Sequence, residues 1–252
     1  MTVAWVTGGL VFARLSALLL TLPMISTVGV PKYVSILLAV ALAVLVSPGV
    51  PMVEEATLQI IVLGFAGEIM LGASLGLVVR ASFAAFAVAA EMLARQTAMG
   101  MSSSLDPVMS LGQSSLGILA SWMAGLVFVG SNQHHRVLEI VAASFHRVPP
   151  GQLADIGDLA DALTGAVEVT IIVGVQLSGP LVALVFLVNV FIGILAKLAP
   201  RMNVFFSVGM TVNSVVGIWL FGIALPWMLD THHETVEASI QTVMGLVLGA
   251  TP

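Results

Sequence analysis

Five ionisable residues interrupt the long apolar runs of this sequence: Arg14, Glu68, Arg80, Glu91 and Arg95. A charge inside a membrane segment is expensive, so it marks an ion pair, an ion pathway or a functional site. Glu91 and Arg95 stand four residues apart with the acid first, the favourable order for a pair on one helix. Glu68 and Arg80 are too far apart to pair on one helix, and Arg14 has no local partner. These three are expected to pair across segments or subunits, or to face water.

Other chemistry-bearing patterns stop short of a constellation. His232-His233-Glu234-Thr235-Val236-Glu237 resembles a zinc helix, but that pattern needs His-Glu-x-x-His and the last position here is Glu237. The string reads instead as a polar helix start beyond Asp230. His134-His135, just before Arg136, reads as the wetted end of an apolar segment. The only lysines are Lys32 and Lys197, and neither sits in a Gly-Lys-Ser/Thr phosphate loop. A nucleophile elbow is not expected. Cysteine is absent, which removes disulfides, thiolate metal sites and Cys nucleophiles together. No enzyme activity, cofactor or metal is expected.

The elements that must hold these residues follow from composition. The chain has 252 residues, 59% of them hydrophobic and 8% charged, with mean hydropathy +1.11. Soluble domains average roughly 45–50% apolar and ~25% charged residues. Thirteen acidic and eight basic residues cannot wet a soluble surface of this size. A soluble enzyme, a nucleic-acid binder and a disordered chain are excluded. The solvent is lipid, other apolar subunits, or both. Met-Thr-Val-Ala-Trp at the start lacks a basic n-region, so the first segment is expected to insert without cleavage.

Charge-poor intervals run over Leu15–Pro31, Tyr33–Val53, Ala56–Val79, Ala81–Ala98, Pro107–His135, Val169–Ala196, Met202–Leu229 and Ala238–Pro252. Six approach or exceed the ~20 residues that a helix needs to cross a bilayer. Backbone groups in lipid must be satisfied within the segment, and strand-like alternation is absent, so the expectation is an all-α membrane protein. Turn signals fall at Pro23, Gly29 and Pro31, at Ser47–Pro51, at Pro149-Pro150-Gly151 and at Pro200. A polar linker is expected over Gln152–Asp161. Gly72-x-x-x-Gly76 and Gly245-x-x-x-Gly249 offer close helix approach. Beyond the linker, two apolar segments joined by Ala196–Asn203 read as a helical hairpin. Its tip, with Lys197, Pro200, Arg201 and Asn203, is placed in the cytoplasm by the positive-inside bias.

Ala98–Gly117 is mostly Met, Ser, Gly, Leu and Gln around Asp106-Pro107. It is too broken for one regular helix and too apolar for an ordinary surface loop. Non-helical backbone at membrane depth requires burial in protein or a cavity to line. Met99, Met101 and Met109 would fill such a space adaptably.

At these residues the chain resembles the flagellar biosynthetic FliR family, whose relatives include virulence secretion subunits. The most specific block is Leu195-Ala196-Lys197-Leu198-Ala199-Pro200-Arg201-Met202-Asn203-Val204-Phe205, followed by Val208-Gly209. Others are Ser144-Phe145 with Pro149-Pro150-Gly151, Asp106-Pro107 after Ala90-Glu91 and Gln96, Glu68–Gly72 with Gly76, and Phe12-Ala13-Arg14 with Pro23. Ser-Phe and Asn-x-Phe lean toward the flagellar branch.

The resemblance implies a pore and gating subunit of a type III export gate that passes unfolded proteins out of the cytoplasm. It implies a FliP-like helical part over 1–160 and a FliQ-like hairpin with a C-terminal helix over 161–252. The implied plug spans Met99–Leu111, with Leu105, Asp106, Pro107 and Leu111 beside the three methionines. Implied partners are FliP- and FliQ-like subunits, FlhA- and FlhB-like export components, unfolded substrates and membrane lipid, with no nucleic acid. The implied location is the bacterial inner membrane at the flagellar basal body, part of the chain projecting to the periplasm. The rival reading is a secondary transporter of a small solute, which predicts internal repeats; none is evident between the halves.

Overall fold

In the computed structural model the described residues are 2–23, 31–53, 57–97, 113–198 and 208–248. Among them the chain forms helices and no strand. The α-helices are α1 (Thr2–Thr21), α2 (Lys32–Val46), α3 (Leu58–Gln96), α4 (Ser115–Gly130), α5 (Gln133–Arg147), α6 (Ile156–Leu198) and α7 (Met210–Leu248). Five of them are long and apolar enough to cross a membrane, and α4 with α5 would make a sixth if the broken pair is one span. Helices α3, α6 and α7 hold 39, 43 and 39 residues, about twice what one crossing needs.

Several boundaries differ from the sequence expectation. Ala56–Val79 and Ala81–Ala98 join into the single helix α3, with Arg80 on its exposed side. The expected linker Gln152–Asp161 is shorter, since α6 begins at Ile156. Its start is capped by Asp155, whose Oδ1 accepts the Gly157 N–H at 2.7 Å. His134 and His135 open α5 rather than close a span. The break lies at Ser131-Asn132, where Asn132 takes the left-handed φ of 57°.

The chain packs as two compact units. The first comprises residues 1–82, 128–168 and 235–252. Helix α1 lies tightly along α3 at its glycines. A Cβ on Gly72 would run into the Arg14 carbonyl, and one on Gly76 into the Thr21 hydroxyl and Leu18 carbonyl. The second glycine pair ends at Gly249, outside the described residues. Helix α2 buries Ser35, Ala39 and Ala43, four residues apart, and leaves Leu37, Val44 and Leu45 exposed. Ser82 and Ser239 hydroxyls meet at 2.7 Å, joining α3 to α7.

The second unit comprises residues 83–127 and 169–234. Its centre is the stripe Ala85, Phe86, Ala89, Ala90, Leu93 and Ala94 of α3, fully buried at helical spacing. Gly174 of α6 sits on Ala85 and Val88. The Asn213 amide donates to Asn189 Oδ1 at 2.5 Å, tying α7 to α6 on either side of residues 199–207. Outside these contacts, α6 exposes Ile171, Val175, Leu187 and Phe191, and α7 exposes Trp219 and Ile223. Apolar surface of this extent marks lipid or protein contact.

Gly72→Ala should destabilise the first unit by about 1–3 kcal/mol through overpacking. Gly179→Ala, where nothing lies within 4 Å of the added carbon, should not. Thermal unfolding of the purified protein in detergent distinguishes them; equal midpoints for the two variants would refute the close α1–α3 approach.

Candidate functional site

Arg14 and Glu68 are the most deeply buried charges among the described residues, at 0% and 1% exposure. Arg14 comes from the middle of α1 and Glu68 from the eleventh position of α3. The guanidinium meets the carboxylate as a fork: Nε to Oε2 at 2.5 Å and Nη2 to Oε1 at 3.0 Å. Nη1 donates to the Ser144 hydroxyl at 2.8 Å, and Nη2 also donates to the Val148 carbonyl at 2.8 Å. The ring of Phe145 lies 4.1 Å from the guanidinium carbon, in cation–π contact. Glu68 Oε1 takes a further N–H from Gly151 at 3.2 Å. Gly151 has φ 85°, a conformation that its lack of a Cβ permits.

One ion pair thus collects α1, α3, the end of α5 and the turn before α6. Arg14, Glu68, Ser144, Phe145 and Gly151 come from separate sequence blocks, and the structure brings them together. Every guanidinium nitrogen has an acceptor, and both carboxylate oxygens have donors. The pair's chemistry is anchoring.

A second carboxylate works differently. Glu91, in the last turns of α3, accepts the Ser114 backbone N–H through Oε2 at 3.1 Å. Ser114 in turn caps α4, its hydroxyl accepting the Gly117 N–H at 3.1 Å. The expected Glu91–Arg95 pair is present but loose: the closest N···O distance is 3.9 Å and the Arg95 side chain is 76% exposed. The start of α4, rather than Arg95, holds Glu91. Arg80 is exposed and takes no part in the three ion pairs among the described residues. The third pair joins Arg136 of α5 to Glu237 of α7.

His232 is not at a helix start. It lies deep within α7, 1% exposed, with its ring 4.9 Å from Phe83 and 5.2 Å from Phe86. The neighbouring polar string misled because it contains a buried residue within a continuous helix. Gly72-Ala73-Ser74-Leu75-Gly76 does spell the elbow pattern that the sequence reading excluded. Ser74 is nonetheless buried inside α3, far from the strand-to-helix turn that such a nucleophile needs. Met99, Met101, Leu105, Asp106, Pro107, Met109 and Leu111 lie outside the described residues, as do Pro200, Arg201 and Asn203. Lys197 is exposed in the last turn of α6. Ser144, the Val148 carbonyl and Ser114 were missed as partners; Ser144 stood in the Ser-Phe block, whereas backbone groups leave no trace in sequence.

Removing one member of the buried pair leaves the other charge uncompensated, which costs about 3–5 kcal/mol. Glu68→Ala should therefore sharply lower the protein's thermal midpoint and its level in membranes. The double variant Arg14→Met with Glu68→Leu should recover much of the loss. A single variant no worse than the double one would contradict this account.

The chain matches the family described as bacterial export proteins, family 1, over residues 5–239. It is 28% identical to the flagellar biosynthetic protein FliR of Escherichia coli K12 over 240 residues, 95% of this chain and 91% of that one. It is 27% identical to FliR of Bacillus subtilis 168 over 243 residues, 94% and 93% of the two chains. The surface presentation of antigens protein SpaR of Shigella flexneri is 26% identical over 155 residues, 61% of this chain and 59% of that one. With the family's match running from α1 into α7, and the buried anchor built from residues inside it, the chain belongs to the bacterial export proteins, family 1, the FliR family.

Proposed function

We propose that the chain is a pore and gating subunit of the flagellar type III protein export apparatus, through which unfolded flagellar proteins leave the cytoplasm. The observation that carries the reading is the family match across residues 5–239, alongside FliR relatives aligned over nine-tenths of their length. The exposed apolar faces of α2, α6 and α7 support it physically. They call for partners or lipid, and FliP- and FliQ-like subunits would cover part of them. FlhA- and FlhB-like components would deliver substrate and energy, since the chain has no phosphate loop. It acts as a structural subunit rather than an enzyme. Residues 1–160 take the FliP-like role and 161–252 the FliQ-like role. The assembly sits in the inner membrane at the basal body, part of it on the periplasmic side.

Met99–Leu111 supplies the seal in this reading. A resting gate must hold back ions and still open for a chain. Many dispersion contacts, each only ~0.1–0.2 kcal/mol, close such a gap and are individually easy to break. Deleting Ser102–Gly112 should open an ion leak while the assembly still forms. Conductance or small-solute uptake in cells carrying the assembled variant reads this; a normal amount of assembly as tight as wild type would remove the segment from the seal.

Lys197 and Arg201 are placed in the cytoplasm by the positive-inside bias. Cysteines substituted there should react with an impermeant thiol reagent only from the cytoplasmic side, and the native chain has no Cys to interfere. Labelling from the periplasm would reverse the orientation.

A further inference from the structure

The last turn of α5, the turn into α6 and the last turn of α7 enclose a cavity of about 320 Å³ within the first unit. That volume is at the small end for a ligand pocket. The cavity lies beside the buried anchor, because Ser144 and Val148, both partners of Arg14, form part of its wall. Its floor is apolar, with Leu71, Leu159 and Val247 all buried. Its rim carries exposed charge of both signs: Arg147 on the α5 side, Asp155 and Asp158 on the α6 side.

Each side of the rim selects the opposite charge. A guanidinium donates and suits a phosphate oxygen. Ionised carboxylates only accept, so they suit a cation that can donate. The carboxylates repel a simple anion, and Arg147 repels a simple cation. A ligand with phosphate and ammonium a few bonds apart satisfies both sides. The surface beyond the mouth is apolar. Leu153 at the mouth is exposed, and so are Ile156 and Val167, about three turns apart on one side of α6. Helices α6 and α7 are both apolar enough to cross a membrane, and lipid headgroups lie at the ends of such segments.

We propose that this cavity holds the headgroup of a phosphatidylethanolamine-type lipid. Arg147 takes the phosphate, Asp155 and Asp158 take the primary ammonium, and the acyl chains run along the exposed side of α6. Phosphatidylcholine carries the same charges but has no N–H to donate. Phosphatidylglycerol has the phosphate and no cation.

The test uses the full chain in detergent micelles titrated with lipid. The native chain has no Cys, so Ala160→Cys, exposed about one turn beyond Ile156, carries a single fluorophore. Lipids brominated on identical acyl chains quench it and report binding for each headgroup. Phosphatidylethanolamine should bind about tenfold more tightly than phosphatidylcholine, the effect of hydrogen bonds between charged groups. Phosphatidylglycerol should bind more weakly still. Asp158→Asn should weaken phosphatidylethanolamine and strengthen phosphatidylglycerol, opposite changes that a loss of structure does not produce. Arg147→Gln should weaken all three lipids. Equimolar glycerophosphoethanolamine, which lacks acyl chains, should not relieve the quenching; if it does, the ligand is a soluble phosphoester and the lipid assignment falls. Equal binding of the three headgroups, or phosphatidylglycerol binding most tightly, overturns the proposal. So does a ranking that neither Asp158→Asn nor Arg147→Gln alters. The headgroup ranking alone decides the matter if either charge variant fails to fold.

Discussion

A guanidinium and a carboxylate without solvent must each find enough hydrogen-bonding partners, or the chain cannot bury them. That constraint organises the first unit. Arg14 needs Glu68, Ser144 and the Val148 carbonyl at once, and Glu68 needs Gly151. Meeting it requires α1 against α3, hence Gly72 and Gly76, where a side chain would strike the α1 backbone or Thr21. It requires α5 to end where its Ser144 hydroxyl and Val148 carbonyl face the guanidinium. It requires a turn of left-handed φ at Gly151, which Pro149-Pro150 precedes. An apolar core would tolerate sliding of these helices, since lipid-like side chains are interchangeable. A fork with fixed geometry does not.

The same physics explains why so little of the remaining surface is polar. In an apolar medium helices satisfy their own backbones, so exposed Leu37, Ile171, Phe191 and Trp219 carry no penalty provided lipid or another subunit covers them. Helices of about forty residues exceed what one bilayer crossing consumes. Hydropathy rewards lipid and apolar protein equally, so length is the better indication that protein covers part of them.

The sequence was readable where a single physical cause operates. Helical character, the approximate number of spans, the turn at Pro149–Gly151 and the small-residue contact at Gly72 and Gly76 all follow from local composition. Boundaries were not, because hydropathy treats a charge as an end whereas caps set helix ends. Arg80 sits exposed within α3 and ends nothing; Asp155 ends the linker five residues after Pro150 because its carboxylate can cap α6. His232 looked wetted among polar neighbours, yet a helix rotates adjacent residues by about 100°, so one of them can face Phe83 and Phe86. Of the candidate site, Arg14, Glu68 and Glu91 were visible as charges. Their partners Ser144, Val148 and Ser114 were not, since they lie 130, 134 and 23 residues away and the last two bond through backbone groups.

The two glutamates of α3 answer opposite mechanical demands. Glu68 is locked by several donors in a dry setting, where breaking one bond strands a buried charge and the loss is steep. Glu91 is partly exposed, so water can replace the Ser114 N–H when the bond opens, and the loss is shallow. The sequence encodes the difference through neighbours rather than through the residue itself: Ser144, Phe145 and Gly151 close around one carboxylate, while Gly117 and a solvent-directed Arg95 leave the other with a single firm contact.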